Sequence, residues 1–413
     1  MFARARAHSG ALYLLVATSV ANVLAYGYQV VMARLLRPEQ FAILTALFGI
    51  LILESISSQV IQSATAKLAA QYRARNEEAA LHAFVRRWAV RVGAASAVLG
   101  AIVALLSGVI ANALSLPALS VTLLGLTLFL ALVFTFGLGL LQGLARFVWM
   151  GTALISQAAG RLAVGVALVL AGFGVDGAFI GATAAIAVSL VVAAIPLLPL
   201  LSAARGSAVT HELGSTETRF FALSAVVLLA YAALTNVDAV LARSLLSPEA
   251  AGAYAGAITM GKIVLFAPIA IGFLLLERTA RAHALGEDTD AALYLALAFV
   301  LATSGLVAVA YLVAPELLVP IVVGSQYPDT AKIVGTYGIA ALANALLSLW
   351  IAYFIGRGEM RVGLLLAVAV VVELALLVTI VSDPLTMARV VLTVALGTQA
   401  AAVATFLVRK LRG

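Results

Sequence analysis

The sequence predicts an all-α polytopic membrane protein of about twelve transmembrane helices in two pseudo-symmetric six-helix lobes, both termini cytoplasmic. Three observations predict it. Hydrophobic residues fill 64% of the 413 positions and charged residues only 10%, with a mean hydropathy of +1.14, whereas soluble domains carry about 25% charged residues. Apolar runs of ~20 residues, enough to cross a bilayer core as a helix, recur along the whole chain. Finally, Ala33-Arg34-Leu35-Leu36-Arg37-Pro38-Glu39 is echoed about 210 residues later by Ala242, Arg243 and the turn Ser247-Pro248-Glu249, the mark of a duplicated half.

Taken in order, spans are expected at about 10–33, 40–66, 88–110, 119–143, 150–171 and 177–201, then at about 220–242, 249–276, 290–313, 329–355, 362–381 and 387–408. The domains are thus 1–201, an N-terminal lobe; 202–219, a polar cytoplasmic linker; and 220–413, a C-terminal lobe. Arg4 and Arg6 before an apolar run, with Ser19-Val20-Ala21, imitate a signal peptide. That run continues to Ala33, however, and its echo at 220–242 is internal, so a retained span is expected. Placing the N-terminus inside leaves only Arg34, Arg37, Arg243, Lys332 and Arg389 outside, with Arg161 and Lys262 within spans. Such a bias of Lys and Arg orients the chain in the cell membrane. With six spans per half, the halves are parallel repeats, a layout known among transporters. Gly151 followed by Arg161, and Gly363 followed by Glu373, form a second, weaker echo.

Composition also excludes. The net charge of +7 comes from short loops between spans, so no nucleic-acid partner is expected. There is no cysteine for disulfides, thiolate metal sites or nucleophiles. His8, His82, His211 and His283 lie far apart in tails or loops, so no metal site or resident cofactor is expected. Gly256 to Lys262 reads G-x-x-x-x-G-K, but Ile263 stands where a magnesium-binding Ser or Thr is needed. Gly172-Phe173-Gly174-Val175-Asp176-Gly177 reads G-x-G-x-x-G, but it falls in a turn between two spans. Gly252/Gly256 and Gly177/Gly181 are better read as small-residue pairs that let helices approach closely.

The informative residues are charges inside spans, each costing about 2.5–3.5 kcal/mol at mid-bilayer. These are Glu54, Arg161, Asp238, Lys262 and Glu373. Glu54 and Arg161 match in depth, as do Lys262 and Glu373, so two intramembrane pairs of exchanged sign are expected, either structural or functional. Asp238, one turn from Arg243, is read as a local pair with that arginine or a hydrogen-bonded group at the interface, or as an ion-coupling site or gate. Its counterpart in the first half is Gln29. Asn22, Tyr26 and Gln29 in span 1 and Ser55, Ser58, Gln59 and Gln62 in span 2 add polarity. Ser55, Gln59 and Gln62 share one helix face, as for a hydrated cavity or for interhelical hydrogen bonds. Asn236 repeats the polarity in span 7.

The stretch Ala33 to Phe41, the segment from Asn236-Val237-Asp238 to Gly252-Ala253-Tyr254, and the turn at 172–174 together resemble the polysaccharide-transporter, or oligosaccharide flippase, family. Its superfamily also holds multidrug extruders and lipid-linked peptidoglycan-precursor flippases. Glu277 departs from the proline often found there. The resemblance implies two lobes, a cavity lined chiefly by spans 1, 2, 7 and 8, and alternating access. It implies a cargo of undecaprenyl-pyrophosphate-linked oligosaccharide, moved from the inner to the outer leaflet for cell-surface polysaccharide. An anionic, hydrophilic headgroup needs a hydrated path with cationic contacts. Arg34, Arg243 and Lys262 are placed for that, and Lys67 for first contact with the pyrophosphate; Asn22, Gln29, Gln59, Gln62 and Asn236 would line the cavity. Expected partners are this cargo, the bilayer and a polysaccharide polymerase. Coupling to H+ or Na+ through Asp238, Glu54 or Glu373 is left open by the sequence. A multidrug or cation antiporter of the same superfamily is the alternative, and it would want an acidic cavity. A membrane glycosyltransferase or polymerase is disfavoured because no large outside loop is present, so the chain is expected not to be an enzyme.

Overall fold

The computed structural model describes residues 2–202, 215–265 and 290–412, with 271–272, 275–276, 278–279 and 282. Most of the 202–219 linker and half of the second half of span 8 lie outside the described residues, as do His211, His283 and Glu277. Among the described residues the regular structure is helical, without a strand. Ten of the helices are long and apolar enough to cross a membrane. One of them, Phe147–Leu200, contains two expected spans, and the helix opening at Pro248 begins a further one. The chain is therefore an all-helical, multi-pass membrane protein.

It forms two compact units, Met1–Leu36 with Glu54–Ala222, and Arg37–Leu53 with Leu223–Gly413. The expected split at the linker thus meets a difference: residues 37–53 group with the second unit. The first unit holds α1 (Phe2–Leu35), the latter part of α2 (Pro38–Ala74), α3 (Glu78–Leu105), α4 (Ser107–Leu114), α5 (Ala118–Gly143), α6 (Phe147–Leu168), α7 (Gly174–Ala194) and α8 (Leu198–Ser202). Here α6 packs between α1 and α7, and α5 against α3 and α7. Glycines set the spacing. A Cβ on Gly181 would sit 2.4 Å from the Gly165 backbone, and one on Gly125 2.4 Å from the Gly100 carbonyl oxygen. The latter part of α2 is seated the same way, since a Cβ on Gly143 would meet the Ala66 carbonyl oxygen at 2.4 Å. Without a hydrophobic force between helices in lipid, such close packing and interhelical hydrogen bonds hold the bundle. Thr127 and Thr183 share one such bond at 2.7 Å, and Ser120 donates to Asp176 at 2.5 Å. The expected turn at 172–174 is tighter than a loop. Gly172 (φ 92°) and Gly174 (φ 54°) take left-handed backbone and join α6 directly to α7.

The second unit holds the rest of α9 (Ser215–Leu234), α10 (Val237–Leu245), α11 (Pro248–Val264), α12 (Asp290–Val313), α13 (Pro315–Val322), α14 (Thr330–Gly356), α15 (Val362–Ile380) and α16 (Pro384–Arg412). The stretch 314–328, expected as a plain connection, contains α13. α14 is its hub, packing on α11, α12 and α16. Polar side chains fasten these helices through backbone carbonyls: Thr330 to Ala253 (2.7 Å), Tyr311 to Met260 (3.0 Å) and Ser304 to Val264 (2.7 Å). Leu293, Val300, Trp350, Tyr353, Leu366 and Phe406 fill its core. The ends of α12, α14 and α16 are clasped by Arg409, which donates to Asp290 (3.2 Å) and Tyr353 (2.6 Å). Both repeats of the sequence start a helix with proline, α2 at Pro38 and α11 at Pro248, where the missing N–H costs nothing.

At the start of α16 the Asp383 carboxylate accepts from the backbone N–H groups of Leu385 (2.9 Å) and Thr386 (3.0 Å). The Thr386 hydroxyl and backbone N–H hold the Asp383 carboxyl below its usual range. A carboxyl whose folded-state value is depressed stabilises above its unfolded value and loses that contribution as pH falls through the folded one. Asp383→Ala should therefore cost about 0.5–2 kcal/mol of stability at neutral pH. Thermal unfolding in detergent should show the difference from wild type shrinking in acid.

Candidate functional site

In the first unit the expected polar residues are spread over α1, α2 and α6. Asn22, Arg34 and Gln59 are exposed, whereas Gln29, Gln62, Lys67 and Arg161 are half-buried. Of the face expected on α2, Gln62 finds an interhelical partner, donating through Nε2 to Gln142 Oε1 at 2.9 Å. Arg161 lies with its guanidinium 5.1 Å from the centre of the Tyr28 ring, and Tyr28 is pinned by a 2.8 Å bond from its hydroxyl to the Ala178 carbonyl. An aromatic face holds a guanidinium without neutralising it, so α1 and α7 together fix a positive charge inside this unit. Glu54 is not the partner of Arg161: its carboxylate accepts instead from Ser58, one turn along α2. The expected Glu54–Arg161 pair is therefore not formed. A hydroxyl four residues away satisfies a carboxylate at no cost in helix geometry.

In the second unit the sequence placed one continuous span over 220–242, yet the helix breaks. Asn236 takes φ −142° and ψ −10° between α9 and α10. The cause is local. Thr235 Oγ1 bonds the Tyr231 carbonyl (3.0 Å) and Asn236 Nδ2 the Ala232 carbonyl (3.0 Å), so side chains close the last turn of α9. The break delivers Asp238 to the interior, where it is 1% exposed. Its Oδ2 accepts from Tyr254 OH at 2.8 Å and Tyr337 OH at 3.2 Å, while Oδ1 has no partner. The local Asp238–Arg243 pair is thus absent. Arg243 is half-buried, and its Nε donates to nothing.

Glu373 on α15 is also 1% exposed, and neither carboxylate oxygen accepts a hydrogen bond. The expected Lys262–Glu373 pair is therefore not formed either. α15, which carries Glu373, packs against α10, which carries Asp238. The second unit thus buries two carboxylates, Asp238 held by two tyrosine hydroxyls and Glu373 with no hydrogen bond. Depth-matching failed because spans 8 and 11 present these residues to different neighbours, which helical rise alone does not encode. Tyr254 was visible as a motif residue, and Tyr337 carried no mark at all. Only the packing of α14 against α11 reveals them as the donors to Asp238.

Taken together, the described residues form two multi-pass helical units, each with charged side chains held inside it. A family profile described as "Polysaccharide biosynthesis protein" matches residues 8–272, and the chain belongs to that family. No curated protein matches it. Among solved structures, it is similar to an inward-facing multidrug resistance MATE family transporter of the MOP superfamily, with a TM-score of 0.75 and 14% identity over 95% of this chain and 94% of the other. A mutant of the Vibrio cholerae MATE transporter VcmN gives a TM-score of 0.66 at 16% identity, covering 98% of each chain. A MOP superfamily transporter from Pyrococcus furiosus, whose binding pocket is described as of reverse polarity, gives 0.55 at 16% identity, covering 97% and 94%. At these identities the likeness establishes the MATE-like fold.

Proposed function

We propose that this protein is a flippase, not an enzyme, that carries undecaprenyl-pyrophosphate-linked oligosaccharide from the inner to the outer leaflet of the cell membrane by alternating access. The observation that carries the reading is the family match, polysaccharide biosynthesis, on a transporter fold. Basic side chains support it. Arg161 is held over Tyr28 inside the first unit, and Arg243 and Lys262 lie half-buried in the second. They suit an anionic pyrophosphate, with Arg34 and Lys67 toward the ends of their spans and Asn22, Gln29, Gln59, Gln62 and Asn236 meeting the sugar. Both termini face the cytoplasm, the lobes being the duplicated halves 1–201 and 220–413. A polysaccharide polymerase receives the product. Asp238 and Glu373 form the coupling site, driven by a proton or sodium gradient.

The test is transport of labelled lipid-linked oligosaccharide in proteoliposomes. Arg243→Ala and Lys262→Ala should each slow flipping by roughly 10-fold, the worth of about 1.4 kcal/mol, with normal membrane insertion. Wild-type rates in both would remove their role. The buried carboxylates favour one second reading, a multidrug or cation antiporter; drug extrusion with no turnover of the lipid-linked sugar would establish it instead.

A further inference from the structure

The two units carry the same small element at the same place. α3 ends at Leu105 and, after a kink at Leu106 (φ −86°, ψ 6°), the chain enters the eight-residue α4. α12 ends at Val313 and, after a kink at Ala314 (φ −135°, ψ 49°), the chain enters the eight-residue α13. Both elbows close in the same way. The backbone N–H of Leu116 donates to the Ala111 carbonyl at 2.9 Å, and that of Gly324 to the Val319 carbonyl at 3.2 Å. Each bond sits at a left-handed residue, Ser115 (φ 53°) or Gly324 (φ 112°). Each elbow packs on the next span, α5 or α14, and buries one residue of its own, Ala111 or Val319. The other face is apolar and open. Leu105 and Val109 fall four residues apart, as do Val313, Leu317 and Ile321, which brings each set to one side. All five are between 58% and 85% exposed. These stripes continue the exposed side of the preceding span, through Val98 and Ile102 on α3 and Leu306 and Val309 on α12.

The opposite end of each span fixes the depth. Arg91 lies 5.5 Å from the centre of the Trp88 ring and Lys410 5.7 Å from that of Tyr294. Exposed Trp and Tyr rings with basic neighbours mark a membrane–water boundary. Leu105 comes 17 residues after Trp88, and Val313 19 residues after Tyr294, or ~26 and ~29 Å of helix. The hydrocarbon core is ~30 Å thick. Both spans therefore run out at the far boundary, and the elbows begin there. Neither elbow carries a lysine or arginine, so attraction to anionic headgroups does not hold them.

We infer that α4 and α13 are a matched pair of interfacial helices seated in the outer leaflet, with their apolar stripes sunk at the headgroup–acyl boundary and covered by lipid. The stripe is continuous with the lipid-facing side of a span, and its start coincides with the boundary, so lipid is the partner that already lies against it. Each unit is thereby held at that boundary by burial of apolar surface alone. The word outer rests on the proposed orientation, with both termini in the cytoplasm; the seating in lipid does not.

The chain has no cysteine, so single-cysteine variants of the full-length protein each take one nitroxide label. Val109→Cys, Leu317→Cys and Ile321→Cys report on the stripes, and Ser115→Cys and Ser325→Cys, exposed just beyond the elbows, on the water side. In phosphatidylcholine proteoliposomes the three stripe labels should be relaxed by oxygen, not by a water-soluble nickel chelate, and lie ~5–10 Å deep in the boundary. The two serine-site labels should show the reverse. Adding anionic phosphatidylglycerol should leave every depth unchanged. Stripe labels reached by nickel would place the elbows in water and overturn the seating. Stripe labels reached by neither reagent would show protein over the stripe, a second copy included, and would overturn it equally. Depth gained only with phosphatidylglycerol would make the contact electrostatic and also count against it. Sidedness is read separately, from reaction of the serine-site cysteines with a membrane-impermeant maleimide on intact cells. Reaction only in opened cells would overturn the outer-leaflet assignment and the orientation with it. Neither readout involves cargo, so failure of the flippase reading in transport assays would leave both results as they are.

Discussion

Asp238→Asn is expected to cut gradient-driven transport by roughly 5–150-fold, the span of typical coupling free energies of 1–3 kcal/mol. The exchange preserves size and keeps an oxygen for Tyr254 and Tyr337, whose bonds measure 2.8 and 3.2 Å. What it removes is the charge and the capacity to take up a proton or hold a cation. Because the residue is 1% exposed, no solvent screens that loss. The measurement is cargo flux in proteoliposomes with and without imposed proton and sodium gradients. Wild type should accelerate under one of them, whereas the variant should keep a slow rate that ignores both. A variant that still answers the gradient would move the coupling role away from Asp238. Glu373→Gln should behave alike, and the double variant should be no worse than either single one if the two carboxylates act as one site.

The second large effect is on folding. In the second unit a Cβ on Gly252 would lie 2.4 Å from the Pro38 Cβ and 2.6 Å from the Pro38 carbonyl carbon. Backbone on one side and a rigid ring on the other leave nothing to rotate away. Gly252→Val should therefore destabilise by at least about 1–3 kcal/mol, the usual cost of overpacking, and lower both yield and unfolding temperature in detergent. Gly27→Ala is the matched control. No atom lies within 4 Å of a Cβ there, and alanine is the better helix former, so stability should hold or rise slightly. Equal unfolding temperatures for the two variants would show that the close approach at Gly252 carries no weight.

The fold was legible because bilayer crossing imposes a length that a sequence displays directly. The span expected at 290–313 coincides with α12, and those at 119–143 and 362–381 lie within a residue of α5 and α15. What escaped was whatever depended on a side chain bonding to its own helix. The break at Asn236 is written in Thr235 and Asn236, but the same residues in lipid could equally have bonded a neighbouring helix. The glycine pairs were read correctly as close-packing devices: Gly181 meets the Gly165 backbone and Gly256 meets Thr330. The site was legible one residue at a time and not as a site. Asp238 stood out as a charge among apolar residues, and Glu373 likewise, but which charge faces which depends on helix rotation. Pairing by depth gave Glu373 to Lys262, whereas in the structure its carboxylate is buried without a hydrogen bond.

The chain passes between its two units after Leu36, after Leu53 and after Ala222. A ribosome meets this order as a matter of time. Residues 37–53 emerge early, yet the unit to which they belong is completed about 360 residues later, a delay of ~18–72 s at 5–20 residues per second. During that interval Pro38 and Phe41 wait in the bilayer for Gly252 and Tyr327, the residues that they pack against in the finished protein. Biogenesis thus contains a holding period for one half-helix. A gene cut at the linker would strand that half-helix on the wrong polypeptide, so the two products should mature only when made together.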